Sequence, residues 1–222
     1  MDWEAFRVSL KLAGWTAAIL LPLGLVLART LAFRRVPAKG LWEALVAAPL
    51  VLPPTVLGFY LLTAFGANSG LGQAWTEMFG RPLAFSFAGL LAASVVFNLP
   101  FAVQPMQRAF EALPTDVRQA AWVSGLSPWR TFWRIELPLA WPGVLSGLAL
   151  TFAHTLGEFG VVLMVGGSIP GETRTLSLSI YDRVQAFDHA AAGTMSAALL
   201  AFSVVTIAIV YGLGGRVGRR HG

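Results

Sequence analysis

Charged side chains are absent from five stretches of this chain, residues 12–28, 44–76, 82–107, 137–157 and 190–215. Each holds an apolar run long enough, or nearly so, to cross a hydrocarbon core of about 30 Å, which takes about 20 helical residues. The pattern predicts an all-α fold: a polytopic membrane bundle of five transmembrane helices at about 10–31, 42–65, 83–105, 139–165 and 190–213, in one domain covering 1–222. The runs are continuous, without the ten-residue alternation of apolar and polar positions that a membrane β-barrel requires. No internal repeat is visible, inverted or direct. Pro22, Pro49, Pro53, Pro54 and Pro100 sit within or near the spans, where the backbone groups they free must be satisfied by neighbouring helices. Gly24, Gly58, Gly89, Gly143, Gly147, Gly157 and Gly160 are expected to allow close helix approach. Trp42, Trp141 and Tyr211 fall near span ends, as interfacial anchors do.

The connection 106–138 is the longest polar interruption, and it is punctuated like two short helices. Pro114, Thr115 and Asp116 supply a start with acidic charge in the first turn, and Gly125 a left-handed stop. Ser127 can cap a second helix with Pro128 at its first position, and Pro138 is expected to close that helix and open the fourth span. Val117, Ala120, Ala121 and Ser124 form a face of small side chains on the first helix. On the second, Trp129, Phe132 and Trp133 share a face suited to membrane or span packing, while Arg130 and Arg134 face water. On spacing alone, an amphipathic hairpin lying on the membrane, or a helix-turn-helix like that of a DNA reader, fits as well.

Composition agrees with the pattern: 56% of residues are hydrophobic and 12% charged. An ordinary soluble domain has about twice that charged share. The formal charge of +5 fits loops facing anionic headgroups better than a nucleic-acid partner. With no cysteine, thiolate metal sites and disulfides are excluded. The basic residues also predict orientation. Placing Arg29, Arg34, Arg35, Lys39, Arg108, Arg118, Arg130, Arg134, Arg216, Arg219 and Arg220 in the cytoplasm leaves only Arg7, Lys11, Arg81, Arg174 and Arg183 outside. The expected topology is N-terminus out and C-terminus in. A cleaved signal peptide fits the first segment poorly, because Asp2 and Glu4 offset Arg7 and Lys11 while the stronger positive cluster follows the run.

Gln119-Ala120-Ala121, then Gly125, then Ile135-x-Leu137-Pro138 resembles the E-A-A-x3-G-x9-I-x-L-P signature of permease subunits of binding-protein-dependent ABC importers, departing from it at Gln119. The resemblance implies that 106–138 is a cytoplasmic coupling loop, with a helix seated in a groove of an ATPase subunit. It also implies a homodimer with two cytoplasmic ATPase subunits, an extracytoplasmic oxyanion-binding protein, and a place in the bacterial cytoplasmic (inner) membrane. No cofactor is expected on this chain, since ATP and magnesium belong to the partner. Pro49-Leu-Val-Leu-Pro-Pro-Thr-Val-Leu-Gly58, Leu156-Gly-Glu-Phe-Gly160, Ile169-Pro-Gly-Glu-Thr-Arg-Thr175 and the downstream Ile180-Tyr181 resemble molybdate permeases. Sulfate permeases share chiefly the Gly-Glu-Phe-Gly piece, so molybdate, with tungstate beside it, is the implied cargo and another oxyanion the alternative.

No span has an internal lysine or arginine, so the expected path binds its anion weakly and leaves affinity to the binding protein. His154 and Glu158, four apart, are expected on one helix face, either as translocation-path residues or as a hydrogen-bonded packing pair. In 166–189, Leu176, Ile180, Val184 and Phe187 recur at helical spacing, which predicts a short interfacial helix. The chain has no G-x-x-x-x-G-K-[ST] and hence no nucleotide-binding loop of its own. An intramembrane protease would need a nucleophile with a base in reach, and only His154 is available in the spans.

Overall fold

The computed structural model describes the backbone of residues 1–218 and the side chains of all but residues 210, 211 and those from 213 onward. Tyr211, Arg216, Arg219 and Arg220 therefore lie outside the described side chains. Among the described residues the chain is helical throughout and contains no strand. Helix α1 (Trp3–Phe33) begins where the Asp2 carboxylate accepts the Ala5 N–H at 2.9 Å, satisfying a free donor of the first turn. Helices α2 (Lys39–Val51) and α3 (Pro54–Phe65) follow, then α4 (Gly70–Phe79) and α5 (Phe87–Glu111), the last two capped by Ser69 and Ser86. Next come α6 (Thr115–Val123), α7 (Pro128–Thr131), a π-helical turn (Phe132–Glu136) and α8 (Leu137–Gly157). Helices α9 (Gly160–Gly166), α10 (Leu176–Gln185) and α11 (His189–Gly218) follow.

Among the described residues, four helical stretches are long and apolar enough to cross a membrane unbroken: α1, α5, α7 through α8, and α11. The expected span at 42–65 is instead two helices, α2 and α3, bent by 109° at Leu52-Pro53. Pro53 and Pro54 are the cause, since neither has an N–H to continue the α2 ladder, whereas Pro54 fits the first position of a new helix. The expected span at 139–165 is also broken, between Gly157 and Gly160. Pro138 does not close a helix as expected. The Leu137 N–H bonds back five residues to the Phe132 carbonyl, and the widened turn accepts the proline ring, so α7 runs on into α8.

Helix α5 is the axis of the bundle, packed by α1, α2, α8 and α9. Half of its spanning window is buried, against 11% for α11, which rests on α8 at the periphery. Leu20, Met106, Phe110 and Val144 interlock where α1, α5 and α8 meet. Trp141, expected as an anchor, packs against this core, while Trp42 is 52% exposed. Glycine sets the α5–α8 spacing. A Cβ on Gly147 would lie 2.9 Å from the Ala102 carbonyl oxygen, and one on Gly143 would overlap Ala109 and reach within 2.9 Å of the Pro105 oxygen. Gly157, by contrast, has nothing within 4 Å and is no contact glycine. Gly143→Ala should therefore cost about 1–3 kcal/mol by forcing the helices apart, while Gly157→Ala is nearly neutral. Thermal unfolding in detergent checks this, and equal midpoints for the two variants would contradict the close crossing.

Candidate functional site

The first half of the signature, Gln119 to Gly125, lies at the end of the bundle where Arg118 of α6 meets Phe33 at the end of α1. Helix α6 ends in a turn in which the Leu126 N–H donates to the Ala121 carbonyl and the Gly125 N–H to the Trp122 carbonyl, both at 3.0 Å. This double closure places Gly125 at φ +79°, the left-handed stop expected from sequence. Ser127 then caps α7, its hydroxyl accepting the Arg130 N–H at 3.4 Å. Gln119, Ala120 and Ser124 are exposed on α6 and Ala121 is buried. The other half of the signature lies elsewhere: Ile135 is in the π turn, and Leu137 and Pro138 open α8. The motif thus joins an exposed helix to the root of a membrane helix.

Beneath α6 lies a cluster that the sequence did not reveal. Glu136 is fully buried, and its two carboxylate oxygens accept from Arg29 Nε at 2.6 Å and Arg118 Nε at 3.0 Å. Arg118 also stacks over the Phe33 ring at 3.5 Å, and Arg29 over Phe132 at 5.3 Å. A carboxylate removed from water needs such partners. Sequence separations of 107 and 18 residues hid the cluster, although a lone Glu beside a membrane run was a usable signal. Nearby, Gln107 Nε2 donates to Glu43 at 2.7 Å and Glu111 at 2.9 Å, with Lys39 beside both carboxylates, so α2 is tied to α5.

His154 and Glu158 do not pair. Helix α8 ends at Gly157, and Glu158 turns extended, with ψ 133°, so that its side chain accepts the Val161 N–H at 2.9 Å and caps α9. Its carbonyl accepts the Ser177 hydroxyl at 2.6 Å. His154 Nδ1 meets Asn98 Oδ1 at 2.9 Å, and the imidazole stacks on Phe101 with centroids 4.0 Å apart. Asn98 Nδ2 donates to the Ser94 carbonyl, and the Ser94 hydroxyl accepts from Thr16, so a polar chain links α8, α5 and α1. Because the Asn98 amide nitrogen already donates, Oδ1 must accept and Nδ1 of His154 carries the proton. His154→Leu should cost about 1–3 kcal/mol by orphaning that oxygen, whereas Asn98→Leu with His154→Leu removes both partners and recovers most of the loss. Unfolding midpoints of the two single variants and the double variant check the pairing. Equal losses in His154→Leu and the double variant would contradict it.

The two helix breaks touch each other. Gly160 lies against Pro54, where a Cβ would come within 2.8 Å of the proline side chain, and Gly58 lies against Met164 and Val161. Helices α3 and α9 therefore pack as a pair, and interrupted helices of this kind commonly line the paths of transporters. The Ile169–Thr175 segment serves as a strap. Buried Thr173 donates to the Gly166 carbonyl at 2.6 Å, Glu172 accepts the Phe87 N–H at 3.4 Å, and the Leu176 N–H donates to Ser9 at 2.8 Å. Of the interfacial stripe, Leu176 is buried while Val184 and Phe187 are 44% and 83% exposed.

Residues 21–221 match the family described as binding-protein-dependent transport system inner membrane component. The molybdenum transport system permease protein of Azotobacter vinelandii is 46% identical over 211 residues, covering 95% of this chain and 93% of the relative. The sulfate transport system permease protein of Escherichia coli (strain K12) is 33% identical over 217 residues, covering 97% of this chain and 78% of the relative. Among solved structures, a bacterial ABC transporter involved in import of the acidic polysaccharide alginate superposes with a TM-score of 0.77 at 16% identity, over 96% of this chain and 78% of that one. At that identity the likeness establishes the fold.

Proposed function

The chain belongs to the family of binding-protein-dependent transport system inner membrane components, and on that premise we propose that it is the transmembrane permease subunit of an ABC importer carrying molybdate, and tungstate with it, into the cytoplasm. The observation that carries the cargo is the 46% identity to a molybdenum permease across 95% of the chain, against 33% for a sulfate permease. Hydrolysis belongs to partners: two ATPase subunits, holding ATP and magnesium, dock on the exposed face of α6 around Gln119 and Ala120, and their closure drives alternating access. A soluble extracytoplasmic protein delivers the oxyanion.

A second copy of this chain completes the path. Leu50 through Val56 are all exposed in the single chain, including the irregular backbone at the α2–α3 bend. Unpaired backbone does not face lipid, so this bend lies against protein or water. The paired breaks α2–α3 and α8–α9 then face a central path, with His154 and Glu158 bracing its wall. Orientation follows the basic residues, with α6 in the cytoplasm and Asp2 outside. Proteoliposomes containing the permease, the ATPase, internal ATP and loaded external binding protein should accumulate molybdate, and omitting any one should abolish uptake. Uptake without the permease or without ATP would contradict the reading.

A further inference from the structure

Among the described helices, α6 packs appreciably only on the four-residue α7. A charged link to the membrane helices is Arg118, which reaches beneath α6 to the buried Glu136 carboxylate and lies over Phe33 near the end of α1. The second Glu136 oxygen is held by Arg29 of α1, and Glu136 itself closes the π turn that continues into α8. One carboxylate therefore joins three elements: the exposed helix, the first membrane helix and the root of the fourth.

We propose that Arg118, Glu136 and Arg29 form the tether through which a displacement of α6 is passed to α1 and α8 together. The inference rests on α6 being the ATPase contact. The physical ground is the cost of separation. Glu136 is 0% exposed, and a buried carboxylate gives up a guanidinium partner only with a large penalty, so α6 cannot shift without drawing Glu136 and its helix along. The arginines touch no transported anion in this account. They are positioning residues, and the tether places no requirement on cargo identity.

Two substitutions at Arg118 separate tethering from packing. Arg118→Met keeps an unbranched apolar stem over Phe33 and Trp122 but deletes the charge, while Arg118→Lys keeps the charge. In the assembled complex of permease, ATPase and binding protein, the readout is the ratio of ATP hydrolysis with loaded binding protein to hydrolysis without it. Arg118→Met should assemble and lower this ratio about tenfold, the scale of a typical coupling between sites, and Arg118→Lys should restore most of it. A wild-type ratio in Arg118→Met would overturn the tether. So would loss of ATPase binding in that variant, since Arg118 would then shape the docking surface. A wild-type complex indifferent to its binding protein would instead overturn the functional reading on which the tether rests.

Discussion

Gly125→Leu is expected to lower the stimulation of ATP hydrolysis by loaded binding protein about tenfold while leaving the membrane helices folded. The turn after α6 holds Gly125 at φ +79°, and that conformation costs a residue with a side chain about 1–2 kcal/mol, or about five- to thirtyfold in the population of the turn. A Cβ there meets no atom within 4 Å, so the backbone penalty acts without a clash. The angle between α6 and α7 depends on this turn, and with it, on the proposed reading, the presentation of Gln119 and Ala120 to the ATPase. Gly125→Asn is the control, because asparagine tolerates the left-handed region and should keep most of the stimulation. Full stimulation in the leucine variant would show that the turn does not carry coupling.

The features legible in the sequence are those that local chemistry determines. The apolar runs mark the membrane helices because lipid cannot satisfy open backbone, and the stop at Gly125 with the cap at Ser127 is written in neighbouring residues. The breaks were harder to read. Pro53-Pro54 is visible, but a proline pair can kink or end a helix, and the 109° angle between α2 and α3, with α3 against α9, is seen only in the folded chain. Pro138 carried the opposite ambiguity, with the π turn before it making room for a ring that ordinarily stops a helix.

Glu158 and Glu136 show where periodicity stopped being informative. Spacing placed Glu158 one turn beyond His154 on a continuous helix, yet Gly157 and Gly160 flank a point where the carboxylate secures the Val161 N–H and starts α9. Helix α4 has no separate signature in the sequence, because its apolar residues merge with the charge-free run before it. Glu136 occupied the variable position between Ile135 and Leu137 in the signature, and nothing in one dimension announces that Arg29 and Arg118 converge on it. The resemblance singles out the stretch from Gln119 to Pro138; only the folded chain shows how that stretch is attached.

Cargo selectivity follows from what the path lacks. The five charge-free stretches contain no lysine or arginine, and Arg29 of α1 is held by Glu136, so along those stretches the proposed path has no fixed cation to grip a tetrahedral dianion. On the proposed reading, discrimination is expected to rest with a soluble binding protein, which can surround a dehydrated anion with aimed hydrogen-bond donors. Molybdate and tungstate are nearly alike in size and charge, while sulfate is smaller, so a cavity shaped for the larger pair separates sulfate well and those two poorly. The decisive measurement is uptake of labelled molybdate into proteoliposomes bearing the complete complex, with unlabelled tungstate or sulfate as competitor. Tungstate should compete nearly as well as molybdate itself and sulfate hardly at all, whereas strong sulfate uptake that molybdate fails to compete would contradict the account.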